Sequence, residues 1–173
     1  LIWRFVETAR AAGCRSVFYQ ISPSLLSYCA DAGLRAYKLG ELAVVNLANF
    51  ELKGGKWANL RETASRAVRD GLEFAVIEPQ DIPEVMDQLT HVSDTWLADH
   101  NAKEKSFSLG AFDLDYVCSQ PVGVLKKDGK IVAFANILMT ETKEEGSVDL
   151  MRFSPDAPKG SMDFLFVQIL EYL

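Results

Sequence analysis

Residues 121–153, PVGVLKKDGKIVAFANILMTETKEEGSVDLMRF, decide the fold of this 173-residue chain. They hold three runs of strand-like composition separated by two turns. Residues 121–126 and 130–140 are rich in Val, Ile and Phe over lengths that suit strands. Lys127-Asp128-Gly129 between them carries the Asp-Gly signature of a tight hairpin turn. The charged stretch 141–145 supplies a second turn, and residues 146–153 a third strand. The expectation is a meander of three strands.

On the C-terminal side, Ser161-Met162-Asp163 opens a helix that carries Phe164, Leu165, Val167, Ile169 and Leu170. On the N-terminal side, residues 72–77 (LEFAVI) read as a strand. Asp81 is placed as the cap of a helix with Pro83 in its first turn. Ile82, Val85, Met86, Leu89, Val92, Trp96 and Leu97 keep helical spacing to about Asp99. Residues 112–119 predict a short helix capped by Asp113. The order from residue 72 is strand, helix, helix, three strands, helix.

The first third has another rhythm. Ile2, Phe5, Val6 and Ala9 predict a helix over residues 1–12, stopped at Gly13. Residues 16–21 predict a strand, and Ser22-Pro23 opens a helix that ends at Gly33. Residues 34–47 predict one or two strands, broken near Gly40-Glu41. Gly54-Gly55 is the clearest breaker of this half. A helix over residues 56–70 follows, with Trp57, Leu60, Ala64 and Ala67 or Val68 as its apolar stripe and Lys56, Arg61, Arg66 and Arg69 making the rest cationic. The expected organisation is residues 1–55, a basic connecting helix over 56–71, and residues 72–173. Alternating strands and helices place the chain in the α/β class.

Hydrophobic residues make up 49% and charged residues 24%, a globular balance that excludes a disordered chain. A net charge of −6 argues against a dedicated nucleic-acid binder but leaves room for a local basic face. No run approaches the roughly 20 apolar residues that span a bilayer, so these residues are expected to be soluble. Cys14, Cys29 and Cys118 have neither metal-ligand spacing nor an even count, and His91 and His100 read as surface or packing residues. A reduced compartment and no metal are expected. The chain begins with Leu1 and its last helical pattern runs to the end, so it is read as a piece of a longer protein.

Several strings resemble one family. They are Lys38-Leu39-Gly40-Glu41-Leu42-Ala43, Asn59-Leu60-Arg61, Ser93-Asp94-Thr95-Trp96-Leu97, Glu104-Lys105-Ser106-Phe107-Ser108-Leu109-Gly110, Val132-Ala133-Phe134-Ala135-Asn136, and Val148-Asp149-Leu150-Met151-Arg152 followed by Met162-Asp163. Together they span nearly the whole chain and resemble the C-terminal domain of the aminoacyl-phosphatidylglycerol synthases, the multiple peptide resistance factor family. That resemblance implies a tandem of GNAT-like units, each a mixed sheet flanked by helices, with this chain holding the end of one and the start of the next. It implies transfer of a lysyl or alanyl group from aminoacyl-tRNA to phosphatidylglycerol, with no cofactor. Such modification lowers membrane charge and gives resistance to cationic peptides. It also implies a membrane-embedded parent whose catalytic part faces the cytosol of a bacterium.

Ester exchange on an activated aminoacyl ester needs positioning, an oxyanion stabiliser and a carboxylate for the substrate ammonium. Asp149 and Arg152 are the candidates the resemblance points to: Asp149 to hold the ammonium, Arg152 to orient an oxygen or phosphate. The plainer alternative is an Asp–Arg salt bridge at a strand end. Residues i and i+3 of a regular strand face opposite ways, so the two side chains converge only across a bulge or a strand end. Asn136, in an apolar strand, is either a structural hydrogen-bonding residue or a substrate contact. Lys159 is a further candidate for a substrate phosphate, against a solvated loop lysine. Lys56, Arg61, Arg66 and Arg69 are candidates for tRNA or the membrane surface, against a solvated helix face. The loop over residues 154–161 carries Pro155 and Pro158 where an acyl-CoA-binding GNAT enzyme has a glycine-rich turn, which disfavours coenzyme A. An acyl-CoA acyltransferase and a non-catalytic interaction module are the alternative readings.

Overall fold

The computed structural model describes residues 1–104 and 110–173. The chain divides into two compact units, Leu1–Val44 and Val45–Leu173. Residues 105–109, within the family-like string that begins at Glu104, lie outside the described residues.

The first unit holds α1 (Ile2–Ala11) and, after a 3-10 turn over Pro23–Leu25, α2 (Leu26–Asp31). Gly13 and Gly33 take φ of 71° and 76°, the left-handed conformation that ends both helices as their positions in sequence predict. Val6, Cys29 and Ala32 are buried, and Phe5 meets Phe18 edge-on at 5.3 Å. The strands expected over residues 16–21 and 34–47 are not formed. Strand composition expresses a capacity to pair, and these segments have no ladder partner among the described residues. Val17, Tyr37, Leu39, Leu42 and Val44 stay exposed along them.

The second unit is a four-stranded antiparallel sheet flanked by helices. Its strands are β1 (Leu72–Ile77), β2 (Val122–Lys127), β3 (Lys130–Met139) and β4 (Gly146–Phe153), in that spatial order. The β2–β3 hairpin closes on Asp128 (φ 51°) and Gly129 (φ 76°), the two left-handed residues that its sequence calls for. The helices are α3 (Ala58–Arg69), α4 (Ile82–Asp99), α5 (Leu114–Val117) and α6 (Ser161–Tyr172). Asp113 caps α5 as expected, accepting from the amides of Asp115 and Tyr116. Asp81 precedes α4 but makes no side-chain cap there, because its helical backbone (φ −98°, ψ −10°) leaves the extended conformation a capping residue needs.

Strand alternation splits the core into two layers. Leu125, Ala133, Ala135 and Ile137 face α3 and α6 with Ala67, Phe164, Leu165 and Ile169. Val122, Val124, Phe134 and Leu150 face α4 and α5 with Ile82, Leu89, Val92 and Val117. Burying a side chain of this size contributes roughly 1.5–3 kcal/mol, so each layer anchors its helices to the sheet. Within α3, Ala67 is the buried member of the stripe and Val68 is exposed.

Candidate functional site

The β3–β4 ladder is interrupted where the site forms. Ala135 pairs with Met151 and Ile137 with Val148, so Asp149 and Leu150 together oppose the single residue Asn136. This is the β-bulge that the Asp149–Arg152 spacing requires. Asn136 holds it: its Oδ1 accepts from the amides of Asp149 (3.1 Å) and Leu150 (2.8 Å). Asn136 is 1% exposed, and its Nδ2 makes no well-formed hydrogen bond with the described residues. The in-sheet half of the Asn136 alternatives is therefore what its Oδ1 does, and only Nδ2 remains for any other partner.

The bulge brings Asp149 and Arg152 to the α4–α5 face, yet each binds a different neighbour. Asp149 Oδ2 accepts from the Tyr116 hydroxyl and from the Gly110 amide, both at 2.6 Å. Arg152 Nη1 donates to Ser93 Oγ (2.5 Å) and to Glu104 Oε1 (2.7 Å), while Nη2 donates to Glu104 Oε2 (2.9 Å). The guanidinium also lies over Trp96 (5.4 Å) and Phe112 (5.8 Å). Among the described residues, the ion pair of Arg152 is thus with Glu104 and not with Asp149.

This difference sets the electrostatics. Glu104 is neutralised by a bidentate arginine, and that hydrogen bonding holds its carboxyl below the usual range against the opposing effect of burial. Both donors to Asp149 among the described residues, the Tyr116 hydroxyl and the Gly110 amide, are neutral groups, and no cation there pairs with it. Tyr116 is pushed above the ordinary phenol range, first by burial and then by its bond to Asp149; the nearby Asn136 side chain pulls the other way. It stays a protonated donor at neutral pH.

The remaining candidates lie apart from this cluster. Lys159 is exposed on the loop before α6, on the α3 side of the sheet, where a Cβ at the neighbouring Gly160 would meet Thr63. Arg61 Nη1 donates to the carbonyls of Leu52 (2.5 Å) and Gly54 (2.8 Å) and so fixes the turn into α3. Arg69 pairs with Glu62 at 2.9 Å, and Lys56 lies over the Trp57 ring at 5.0 Å. Arg66 is exposed.

Sequence reasoning missed Tyr116 and Gly110 as partners of Asp149, and Glu104 and Ser93 as partners of Arg152. Ser93, Trp96, Glu104 and Gly110 stand in family-like strings, which marks them without giving them a task. Tyr116 stands in none, and its only sequence signal is a place in the turn of helix that Asp113 caps.

A bulged antiparallel sheet flanked by helices, with a part-buried carboxylate at the bulge, defines a domain of the α/β class. The chain belongs to the family described as phosphatidylglycerol lysyltransferase, C-terminal, whose model matches residues 1–173. It is 40% identical over 166 residues to the phosphatidylglycerol lysyltransferase of Bacillus subtilis, covering 95% of this chain and 19% of that protein. It is 36% identical over 171 residues to the enzyme of that name from Staphylococcus xylosus, covering 98% and 20%. Among solved structures, it resembles the C-terminal domain of a protein described as a lysylphosphatidylglycerol synthetase of Agrobacterium fabrum: 66% identity, TM-score 0.91, 99% of this chain and 54% of that one. It also resembles L-PGS from Bacillus licheniformis: 42% identity, TM-score 0.87, 99% of this chain and 52% of that one. The chain therefore spans about a fifth of the length of these sequence relatives and about half of the solved chains.

Proposed function

We propose that this chain forms part of a transferase that moves an aminoacyl group from aminoacyl-tRNA to phosphatidylglycerol. The observation that carries the reading is Asp149: a part-buried carboxylate, anchored by neutral donors and lacking a cationic partner among the described residues. An α-ammonium is the group that such a carboxylate accepts. In the exchange, a glycerol hydroxyl of the lipid adds to the ester carbonyl, a tetrahedral oxyanion forms, and the ribose oxygen leaves. One ester bond forms and one breaks, and the hydroxyl proton passes to the leaving ribose oxygen. No oxidant, nucleotide or metal enters that balance. Asp149 serves by orienting the aminoacyl end, so that the carbonyl meets the hydroxyl in a reactive geometry.

Arg152 has a different place in this scheme. Its side chain is 5% exposed, and three of its N–H groups bond to Glu104 and Ser93. It acts as a frame for the site, and a substrate phosphate would have to displace Glu104 or use the remaining N–H groups. Of the basic candidates, Lys56, Arg66 and Lys159 are exposed and serve for tRNA phosphates or an anionic bilayer, since Arg61 and Arg69 are engaged within the chain. The cytosolic side of the membrane, where aminoacyl-tRNA resides, is the location this reaction requires. Among the described residues, no helix is long and apolar enough to cross a membrane.

The acyl-CoA alternative is not favoured. In the loop before α6, the Ala157 amide bonds to the Ser154 carbonyl and the Ser161 amide to that of Pro158, while Pro155 and Pro158 have no N–H to offer. Few donors remain to cradle a pyrophosphate. The test is incubation of the full-length protein with radiolabelled lysyl-tRNA or alanyl-tRNA and phosphatidylglycerol vesicles. Label in the lipid fraction is expected; label that stays wholly on tRNA would overturn the reading.

A further inference from the structure

Asp149 can serve only if its carboxylate is held still, and the structure shows what holds it. Oδ2 takes both short hydrogen bonds, from Tyr116 and from Gly110, and Oδ1 accepts none from the described residues. Tyr116 is fixed in turn by the first turn of α5 and by packing of its ring against the α4-side core. Gly110 is matched to this arrangement, because a Cβ there would collide with both the Tyr116 ring and the Asp149 carboxylate. Asn136 clamps the backbone of Asp149 from the other side, with its amide near the Tyr116 hydroxyl. Backbone and side chain of one carboxylate are therefore pinned by three residues from three separate elements.

We propose that Tyr116 is a positioning residue for the proposed substrate carboxylate: with the Gly110 amide it ties down Oδ2 of Asp149 and so presents Oδ1 to the ammonium of the aminoacyl group. The inference rests on the transferase reading and adds a residue to it. Tyr116 touches no reacting atom; it acts through Asp149. It is a donor throughout, because burial and the adjacent carboxylate both oppose its ionisation. Arg152 and Glu104, on the same face, bond to each other.

Tyr116→Phe keeps the ring and its packing and removes only the hydroxyl. In the full-length protein, with aminoacyl-tRNA and phosphatidylglycerol vesicles as substrates, the KM for aminoacyl-tRNA is expected to rise about tenfold. The apparent KM for phosphatidylglycerol is expected to stay within about twofold, since the lipid does not use Asp149. A general loosening of the fold would move both or lower the active fraction. Unchanged KM values in Y116F, or equal rises in both, would overturn the inference while leaving the transferase reading intact. A wild-type protein that labels no lipid would remove the transferase reading, and this inference with it. Should Y116F fail to fold, Gly110→Ala perturbs the same carboxylate from its second anchor and should give the same selective rise; its absence in a folded G110A protein counts against the inference.

Discussion

Arg152→Ala should cost stability, and its cost can be compared with that of removing its partner. The Arg152 side chain is 5% exposed and that of Glu104 is 34% exposed, so the two halves of the ion pair have unequal access to water. Removing Arg152 leaves Glu104 able to rehydrate, which reduces the 3–5 kcal/mol typical of breaking a buried pair to about 1–2 kcal/mol. The buried Ser93 hydroxyl loses its donor, at about 0.5–1 kcal/mol. Two ring contacts, with Trp96 and Phe112, add roughly 0.5 kcal/mol each, and the vacated stem leaves a hole beneath them. Before any cost of that hole, the sum is about 2.5–4 kcal/mol. Glu104→Ala runs the other way: it strands a buried cation, so its electrostatic cost is the larger, about 3 kcal/mol, with little loss of packing. Urea denaturation of wild type, both single variants and the double variant reads these values at constant slope. The double variant should be more stable than the two losses predict together, by about 2 kcal/mol. A loss below about 1 kcal/mol in R152A, or strict additivity in the double variant, would refute the view that Arg152 is a structural frame for the site.

Two other perturbations test neighbouring parts of the site. Asn136→Leu removes the acceptor for two amides inside the sheet, so a destabilisation of about 2–4 kcal/mol is expected, with faster hydrogen exchange at Asp149 and Leu150; unchanged protection there would contradict the bulge-clamp role. Glu104 has a folded pKa depressed below 4.5, so its contribution is present above that value and is lost as pH falls through the lower folded value. Wild-type stability should accordingly fall more steeply than that of Glu104→Gln as pH drops below about 4.5, measured by urea midpoint; parallel curves would show that the pair contributes nothing.

The parts of this fold that were legible in the sequence are those set by local chemistry. The Asp-Gly hairpin, the Asp113 cap and the glycines after α1 and α2 each need a particular backbone conformation that few residues adopt. The strand over Leu72–Ile77 was read with its observed bounds because both its ends are marked, by Gly71 and by the Glu78-Pro79 step. What failed was pairing. Residues 16–21 and 34–47 have the composition of strands, but composition cannot supply a partner. The site shows the same division. The spacing of Asp149 and Arg152 implied a bulge, and the bulge is there, held by the asparagine that the sequence singled out. Which residues would fill the hydrogen bonds of each side chain was not legible. Tyr116 and Gly110 lie 33 and 39 residues from Asp149, and Ser93 lies 59 from Arg152. Such distances are closed by topology, on which local pattern is silent. Arg152, weighed in sequence as a substrate ligand or a salt-bridge residue, is buried against the Trp96 and Phe112 rings and bonded to Ser93 and Glu104.

The role of Asp149 remains the most direct thing to measure. Asp149→Asn keeps the shape of the side chain, and its amide oxygen can take the place of Oδ2 and accept from both Tyr116 and Gly110, so the fold should survive with a loss under about 1 kcal/mol. Lipid labelling from radiolabelled aminoacyl-tRNA by the full-length wild-type and D149N proteins, at matched concentrations of folded protein, isolates the charge. The expected result is transfer by the wild type and a fall of about a hundredfold or more in kcat/KM for D149N. Transfer by D149N within about threefold of wild type would contradict the assignment of the aminoacyl ammonium to this carboxylate.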